Sequence, residues 1–568
     1  MQKKWTIVEF EKEKAEKISE ELNVPILLGE LLAQRGIETF DEAKKFFRPS
    51  LEELHDPFLM KGMSEAVSRL IKAIEKNEKI LIFGDYDVDG TTSVAMVFHF
   101  LSRLSDQLEY YIPDRYAEGY GLSDKGVDYA IDNGFSLVIT LDCGIKSVDK
   151  IARASDANVD FIVCDHHVPS SIIPDAIAVL DPKQSDCNYP YDELCGCGVG
   201  FKLLQALSSE MKLDPKLLFS YLDLVSLAIA ADIVPITGEN RILCYHGLKR
   251  INKSPRTGIK TLLSIKKKDG DYVISDLVFT LAPRINAAGR IRSGKYAVQL
   301  LIEENSEEAK KVADLIEEDN IYRRELDSKI TEEGLSKIIA MQEDEVERKS
   351  TVVYDEDWHK GVVGIVASRL IEKHFRPTIV LTKSGDIAAG SARSVPGFDL
   401  YKALEACSAH LIQFGGHKYA AGMTLEISKI NAFRDCFEAT VQSTILDSQL
   451  IPEIVIDLEL NFIDLNRKVY RIIQQMAPFG PQNREPVLST NNVVDAGYSK
   501  PVGKEGDHLK LHMRQQDGVI IDGIAFNFGY MYDSIKRGEP FNIAYSLQEN
   551  TWNGNTKLQL MIKDIQLH

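Results

Sequence analysis

The sequence predicts an α/β protein in several parts: a parallel-sheet domain, a long connecting helix, a second α/β domain and a C-terminal antiparallel barrel. Three observations predict it. Between residues 79 and 180, strand-like apolar runs alternate with helical periodicity, the pattern of a buried parallel sheet. Residues 303–348 read as one acidic helix that no proline interrupts. From residue 452 the pattern changes to short segments of apolar–polar alternation. A chain of 568 residues is also too long for a single core.

Residues 1–60 read as a helical segment around LLAQRGIETFDEAKKFF. The first α/β domain spans 61–265: KILIFG (79–84), FSLVITL (135–141), VDFIVC (159–164) and AIAVL (176–180) are its strands. Residues 266–348 form a linker, and its acidic helix carries an apolar stripe from Leu301, Ala309, Val312, Leu315, Ile316, Leu326 and Ile330. A solvated connecting helix is expected there. The second α/β domain covers 349–450, with TIVLT and DIAAGSAR as strands. IVIDLEL, HLKLHMR, GVIIDGIAF and KLQLMIKDIQL build the barrel over 451–568.

Composition excludes several classes. Hydrophobic content of 44% and charged content of 27% describe a globular chain. MQKKWTIVEF shows no secretory signal, and the most apolar window, Leu218–Ile236, is broken by Asp223 and Asp232, so no membrane span is expected. Eight cysteines without a CxxC pair read as the reduced thiols of a cytoplasmic protein. The net charge of −18 argues against nucleic acid until it is located. Residues 303–348 hold sixteen acids against seven Lys/Arg, half of the excess, while Arg284, Arg290, Arg292 and Lys295 lie in a stretch without an acid.

The chemistry gathers at strand ends. GDYDVDG (84–90) sets Asp85, Asp87 and Asp89 at alternate positions after a strand, where extended backbone would point them the same way. Asp142 in LDCG, Asp165, His166 and His167 in CDHH, and Asp232 in AADIVP recur at the same sheet edge. Several carboxylates with one or two imidazoles supply ligands for two divalent cations, which can drive an in-line phosphoryl displacement.

DYDVDG, LDCG, CDHH and AADIVP, in this order, resemble the four motifs of the DHH phosphoesterase superfamily. YIPDRYAEGYGL, CGVGFKLLQAL, LAPRINAAGR, WHKGVVGIVASRL, GSARSVPGFDL, FGGHKYAAGMTL and APFGPQNREP further resemble the bacterial RecJ exonucleases, from about residue 25 to the end. The resemblance implies a DHH catalytic domain, a long helix, a DHH-associated domain and an oligonucleotide-binding barrel. It implies a 5′-to-3′ exonuclease on single-stranded DNA that uses two Mg²⁺ or Mn²⁺ ions in repair and recombination. Single-strand-binding protein and a repair helicase are implied partners of a monomeric enzyme. By motif, Asp87 and Asp142 would hold one metal, and Asp89, Asp142, His166 and Asp232 the other. Asp85 would support the site, Asp165 would orient His166, and His167 would contact the scissile phosphate.

Substrate residues follow. Gly416 and His417 in GGHKYAAG offer a glycine-rich loop to a phosphate. Arg284, Asn286 and Arg290 in PRINAAGR are assigned to backbone phosphates by the resemblance, against structural pairing with the acidic helix. HLKLHMR sets Leu509, Leu511 and Met513 against a basic face with Lys510 and Arg514, suited to a single strand. Ser391 and Arg393, with Arg115 from the first domain, are expected to hold a 5′ phosphate in the cleft between domains, with Tyr120 stacking on a base nearby.

Overall fold

Ile80–Gly84 is buried along its whole length, as a strand covered on both faces must be. It lies second in a five-stranded parallel sheet of order Leu108–Tyr111, Ile80–Gly84, Leu137–Leu141, Asp160–Cys164, Ala178–Leu180. Alternate side chains face opposite sides. Ile80, Ile82, Leu137, Ile139 and Ile162 join one core with helices Val88–Leu101 and Gly196–Glu210. Leu81, Phe83, Val138, Phe161 and Val163 join another with helices Asp124–Asp132 and Val148–Asp156. This computed structural model describes residues 3–342, 348–516, 518–552 and 555–568. The edge strand Leu108–Tyr111 was not expected, because its short LEYY run is only half-buried and carries little apolar signal. From Ile80–Gly84 the chain steps outward to this edge and then crosses back to Leu137–Leu141. The strand order reverses between those two strands, and a crevice opens at their carboxyl ends.

The acidic helix Ser306–Gln342 is more than a solvated connector. Ala309, Val312, Ala313 and Ile316 belong to the core of the first domain, and Ile330 and Ile338 pack with Val353, Trp358 and Val366 of the second. One helix thus sets the spacing of two domains. The first core also takes in Ile274, Leu277, Ile285 and Val298, so the helices of 274–302 belong to that domain rather than to a linker.

The second domain is a five-stranded sheet of order Gln413–Gly416, Ala420–Glu426, Ile387–Arg393, Thr378–Ser384, Thr351–Asp355. The last two strands pair in parallel and the others antiparallel. The C-terminal sheet has seven strands and closes into a barrel where Leu488–Asp495 pairs with His508–Arg514. The amino-terminal segment does not stand alone. Strand Lys4–Ile7 pairs in parallel with Glu453–Ile456, and Ile18, Leu28 and Leu31 share one core with Phe462, Leu509 and Phe541 of the barrel. Among the described residues, no helix is long and apolar enough to cross a membrane.

Candidate active site

The three aspartates after Ile80–Gly84 do not share a direction, because the helix Val88–Leu101 begins between them. Asp85 is fully buried; its Oδ1 accepts the Gly121 amide at 3.2 Å and its Oδ2 has no hydrogen-bond partner. Asp87 caps the helix, accepting from Gly90 N at 3.0 Å. Asp89 accepts the Gly196 and Cys197 amides at 2.7 and 2.8 Å, so the amino-terminus of helix Gly196–Glu210 fixes it. Gly196 has to be glycine: a Cβ there would lie 2.6 Å from Asp142 Cβ.

Asp142 follows Leu137–Leu141 with a left-handed φ of 60°, and Asp232 ends the helix Leu222–Asp232. Both converge on His166. Its Nε2 lies 3.2 Å from Asp142 Oδ1, 3.6 Å from Asp232 Oδ2 and 3.9 Å from Asp89 Oδ2. Asp89, His166 and Asp232 bring ligand atoms within 4.8 Å of one another, and so do Asp142, His166 and His167. Asp87 joins neither group.

Electrostatics at this cluster call for a cation. Burial, and then repulsion from Asp89, Asp87 and Asp232, pushes the Asp142 carboxyl well above the usual range. Burial and Asp87 raise Asp89, and burial and Asp89 raise Asp232. Burial pushes His166 down to about 3, and both of its buried ring nitrogens lack a hydrogen-bond partner. Crowded carboxylates around a neutral, unpartnered imidazole fit a divalent ion.

Asp165 orients a different histidine from the one expected. Its carboxylate bonds His167 Nδ1 at 2.7 Å and takes the His166 backbone amide at 2.8 Å, leaving the His166 ring untouched. The Nε2 of His167 meets the Tyr120 hydroxyl at 3.0 Å. Tyr120 keeps 55% of its surface exposed, so its ring remains open to a base.

The seam between the two α/β domains holds a cavity of about 460 Å³. Arg115, Arg290, Lys360, Ser391 and Arg393 line it, and no Asp or Glu does among the described residues. Arg393 Nη1 donates to Ser391 Oγ at 2.8 Å, and Arg115 stacks 4.7 Å above the Tyr86 ring. Burial, and then its neighbours Arg115, Arg323 and Arg393, push Arg290 down to about 9, the mark of cations crowded without an anion. A Cβ at Gly364 would sit 3.1 Å from Ser391 Oγ, so the start of helix Val363–His374 approaches this group directly. Lys360, Gly361 and Gly364 also line this cavity and were not singled out from the sequence, although WHKGVVGIVASRL is a conspicuous motif. A glycine-flanked lysine before a helix was the available signal.

Arg284 and Asn286 have surroundings other than those expected. Arg284 is buried and donates to Glu317 at 2.6 Å, so it serves structural pairing with the acidic helix; Arg292 pairs with Asp319 at 2.7 Å in the same way. Asn286, on the same helix, does not line the cavity. Gly416 is required by its hairpin, having φ of 146° and an Ala420 carbonyl only 2.3 Å from any Cβ. His417 is exposed; partial burial and then the charges of Lys146, His167 and Lys183 hold it below its ordinary value. On the barrel, Leu509, Leu511 and Met513 are buried while Lys510 and Arg514 are exposed, as the alternation requires.

Comparisons with known proteins agree with this geometry. The DHH family N-terminal domain matches residues 79–229, the DHHA1 domain 347–443 and the RecJ OB domain 456–564. The chain is 37% identical over 564 residues to the single-stranded-DNA-specific exonuclease RecJ of Bacillus subtilis, covering 99% of this chain and 70% of that protein. It is 33% identical over 561 residues to RecJ of Escherichia coli, covering 95% and 96%. The crystal structure of Thermus thermophilus RecJ in complex with Mn²⁺ superposes with a TM-score of 0.85 at 26% identity, over 100% of this chain and 80% of that one. Its Mg²⁺ complex gives a TM-score of 0.80 at 25% identity, over 100% and 78%. With three family domains in order and this identity along nearly its whole length, the chain belongs to the RecJ family of single-stranded-DNA-specific exonucleases.

Proposed function

We propose that this chain hydrolyses single-stranded DNA from its 5′ end by a two-metal mechanism with Mg²⁺ or Mn²⁺, in DNA repair and recombination. One observation carries the reading: a cavity with four cationic side chains and no acid among its described lining is joined to the carboxylate–imidazole cluster through Tyr86, which lines it, and Tyr120, whose ring lies 6.1 Å from Tyr86 and whose hydroxyl meets His167. Asp89, Asp142, His166 and Asp232 would hold one cation, and Asp87 and Asp142 the other. Bound divalent ions supply an activated water and neutralise charge on the scissile phosphate.

The chain's own groups prepare that site. The helix amino-terminus at Gly196 holds Asp89 in place, and Asp85 braces the Gly121 loop. Asp165 accepts from His167 Nδ1 and, offsetting burial, keeps this imidazole protonated above its ordinary range. His167 Nε2–H can then exchange the Tyr120 hydroxyl for a phosphate oxygen. Polarity comes from the cavity. A terminal phosphate carries a charge of about −1.5 to −2, which Arg393, Arg115 and the Ser391 hydroxyl are placed to receive. A cleft between two domains that takes a single strand and not a duplex would account for the strand selectivity.

Arg393→Ala tests this reading. It should raise KM mainly for 5′-phosphorylated single strands and shrink their preference over 5′-hydroxyl ends. Equal losses on both substrates would assign Arg393 to the scissile group or to the fold. The family relationship further supports a cytoplasmic monomer that works with single-strand-binding protein and a repair helicase.

A further inference from the structure

Cys407 and Cys436 lie outside everything described above. Cys407 caps the end of helix Leu400–Ala406 and is fully buried. Cys436 sits half-buried on helix Ile430–Thr444. Their sulfurs are 2.9 Å apart, with Thr440 Oγ1 at 3.7 Å from Cys407 Sγ. The other six cysteines, Cys143, Cys164, Cys187, Cys195, Cys197 and Cys244, all belong to the catalytic domain, far along the chain from this pair. Sulfurs already in contact at 2.9 Å have only about 0.9 Å to close to the roughly 2.05 Å of a disulfide bond.

We propose that Cys407 and Cys436 form an oxidation site, converted to a disulfide by a hydroperoxide. In the first step the Cys436 thiolate attacks the peroxide; an S–O bond forms, the O–O bond breaks, and an alcohol or water leaves. Cys436 is then a sulfenic acid. The Cys407 sulfur next attacks the Cys436 sulfur, the S–S bond forms, the S–O bond breaks, and water departs with the Cys407 proton. Two thiols lose two electrons and the peroxide gains them. Cys436 reacts first because it is the more exposed. Burial, and then its bond with Cys436, holds the Cys407 thiol up to about 12, which leaves it the resolving partner.

The pair brackets a segment that matters to the cleft. Between the two cysteines lie strands Gln413–Gly416 and Ala420–Glu426, whose Phe414, Gly415, Gly422 and Met423 form one wall of the cationic cavity. The disulfide ties both ends of that wall without touching Arg115, Ser391 or Arg393. It therefore constrains the segment chiefly by closing a loop.

The test uses the full-length, reduced protein. After hydrogen peroxide the chain is denatured, alkylated with N-ethylmaleimide, digested and mapped by mass spectrometry. The expected product is one linked peptide carrying Cys407 and Cys436, lighter by two hydrogens than its reduced components and reversed by dithiothreitol, with the other six cysteines alkylated. In Cys407→Ser, Cys436 should instead give a dimedone adduct and no linked peptide. The oxidised wild-type chain should melt a few degrees higher, and Cys436→Ser should not. Full alkylation of both cysteines after peroxide, or sulfinic acid at Cys436 without a link, overturns the proposal. The wild-type peptide map decides it even if a variant folds poorly.

Discussion

At the scale of single residues, Asp142 lies within the carboxylate–imidazole cluster. It sits at a left-handed φ of 60°, is nearly fully buried, and crowds against His166 and Gly196. An alanine there would carry a backbone penalty of roughly 1–2 kcal/mol, so loss of function would not be cleanly assignable. Asparagine tolerates this conformation and removes only the charge. Asp142→Asn should lower turnover at saturating Mn²⁺ by about two to three orders of magnitude or more. Without divalent ions it should melt higher than wild type, because repulsion with Asp89, Asp87 and Asp232 is relieved. Turnover within tenfold of wild type would remove Asp142 from the metal site. The convergence of Asp89, Asp142, His166 and Asp232 was legible, since Asp89 opens the helix after one strand, Asp142 and His166 follow two others, and Asp232 ends a helix. The partner of Asp165 was not, because neighbouring histidine rings diverge according to how the loop turns.

Two elements illustrate the next scale. The strand His508–Arg514 behaves as its alternation demands, and its outer face adds aromatics to its cations. Tyr498 is 77% exposed with its ring edge-on to His512 at 5.5 Å, and Phe526 packs edge-on to His508 at 4.9 Å. Lys510 and Arg514 changed together to Ala should reduce the slope of log affinity against log salt by about one to two for long single strands. Titration at several ionic strengths measures this, and an unchanged slope would leave the face to solvent. The helix Ser306–Gln342 was legible as a helix but not in its purpose. Its acids hold arginines: Glu317 takes Arg284, Asp319 takes Arg292, and buried Asp327 takes Arg323 at 2.9 Å and Arg369 at 2.7 Å. The helix Ala282–Ile291 therefore contributes Arg290 to the cavity, while Arg284 and the capping Arg292 hold the frame.

At the scale of the whole molecule, the two ends of the chain form one body. The first helices complete the barrel core, and Arg241 of the catalytic domain joins both by donating to Phe46 O at 2.8 Å and Ala477 O at 3.0 Å. Removing residues 453–568 alone would uncover Ile18, Leu28 and Leu31, so lost DNA binding in that variant would mix with instability. Conversely, deleting residues 3–48 should lower the melting temperature of the barrel and raise binding of a hydrophobic dye, with the Asp142 cluster intact. Scanning calorimetry would check this, and an unchanged barrel transition would refute the shared core. By itself the sequence determined the domain order, the long acidic helix, the central strands of the sheets and the acids and histidines that follow them, because periodicity, capping and motif spacing are local; the half-buried edge strand Leu108–Tyr111 left too little apolar signal. Only the tertiary structure decided which arginines stay free for a phosphate, which histidine Asp165 holds, and where the amino-terminus docks. Those outcomes depend on partners tens to hundreds of residues away, and a charge is available to a ligand only where the fold leaves it unpaired.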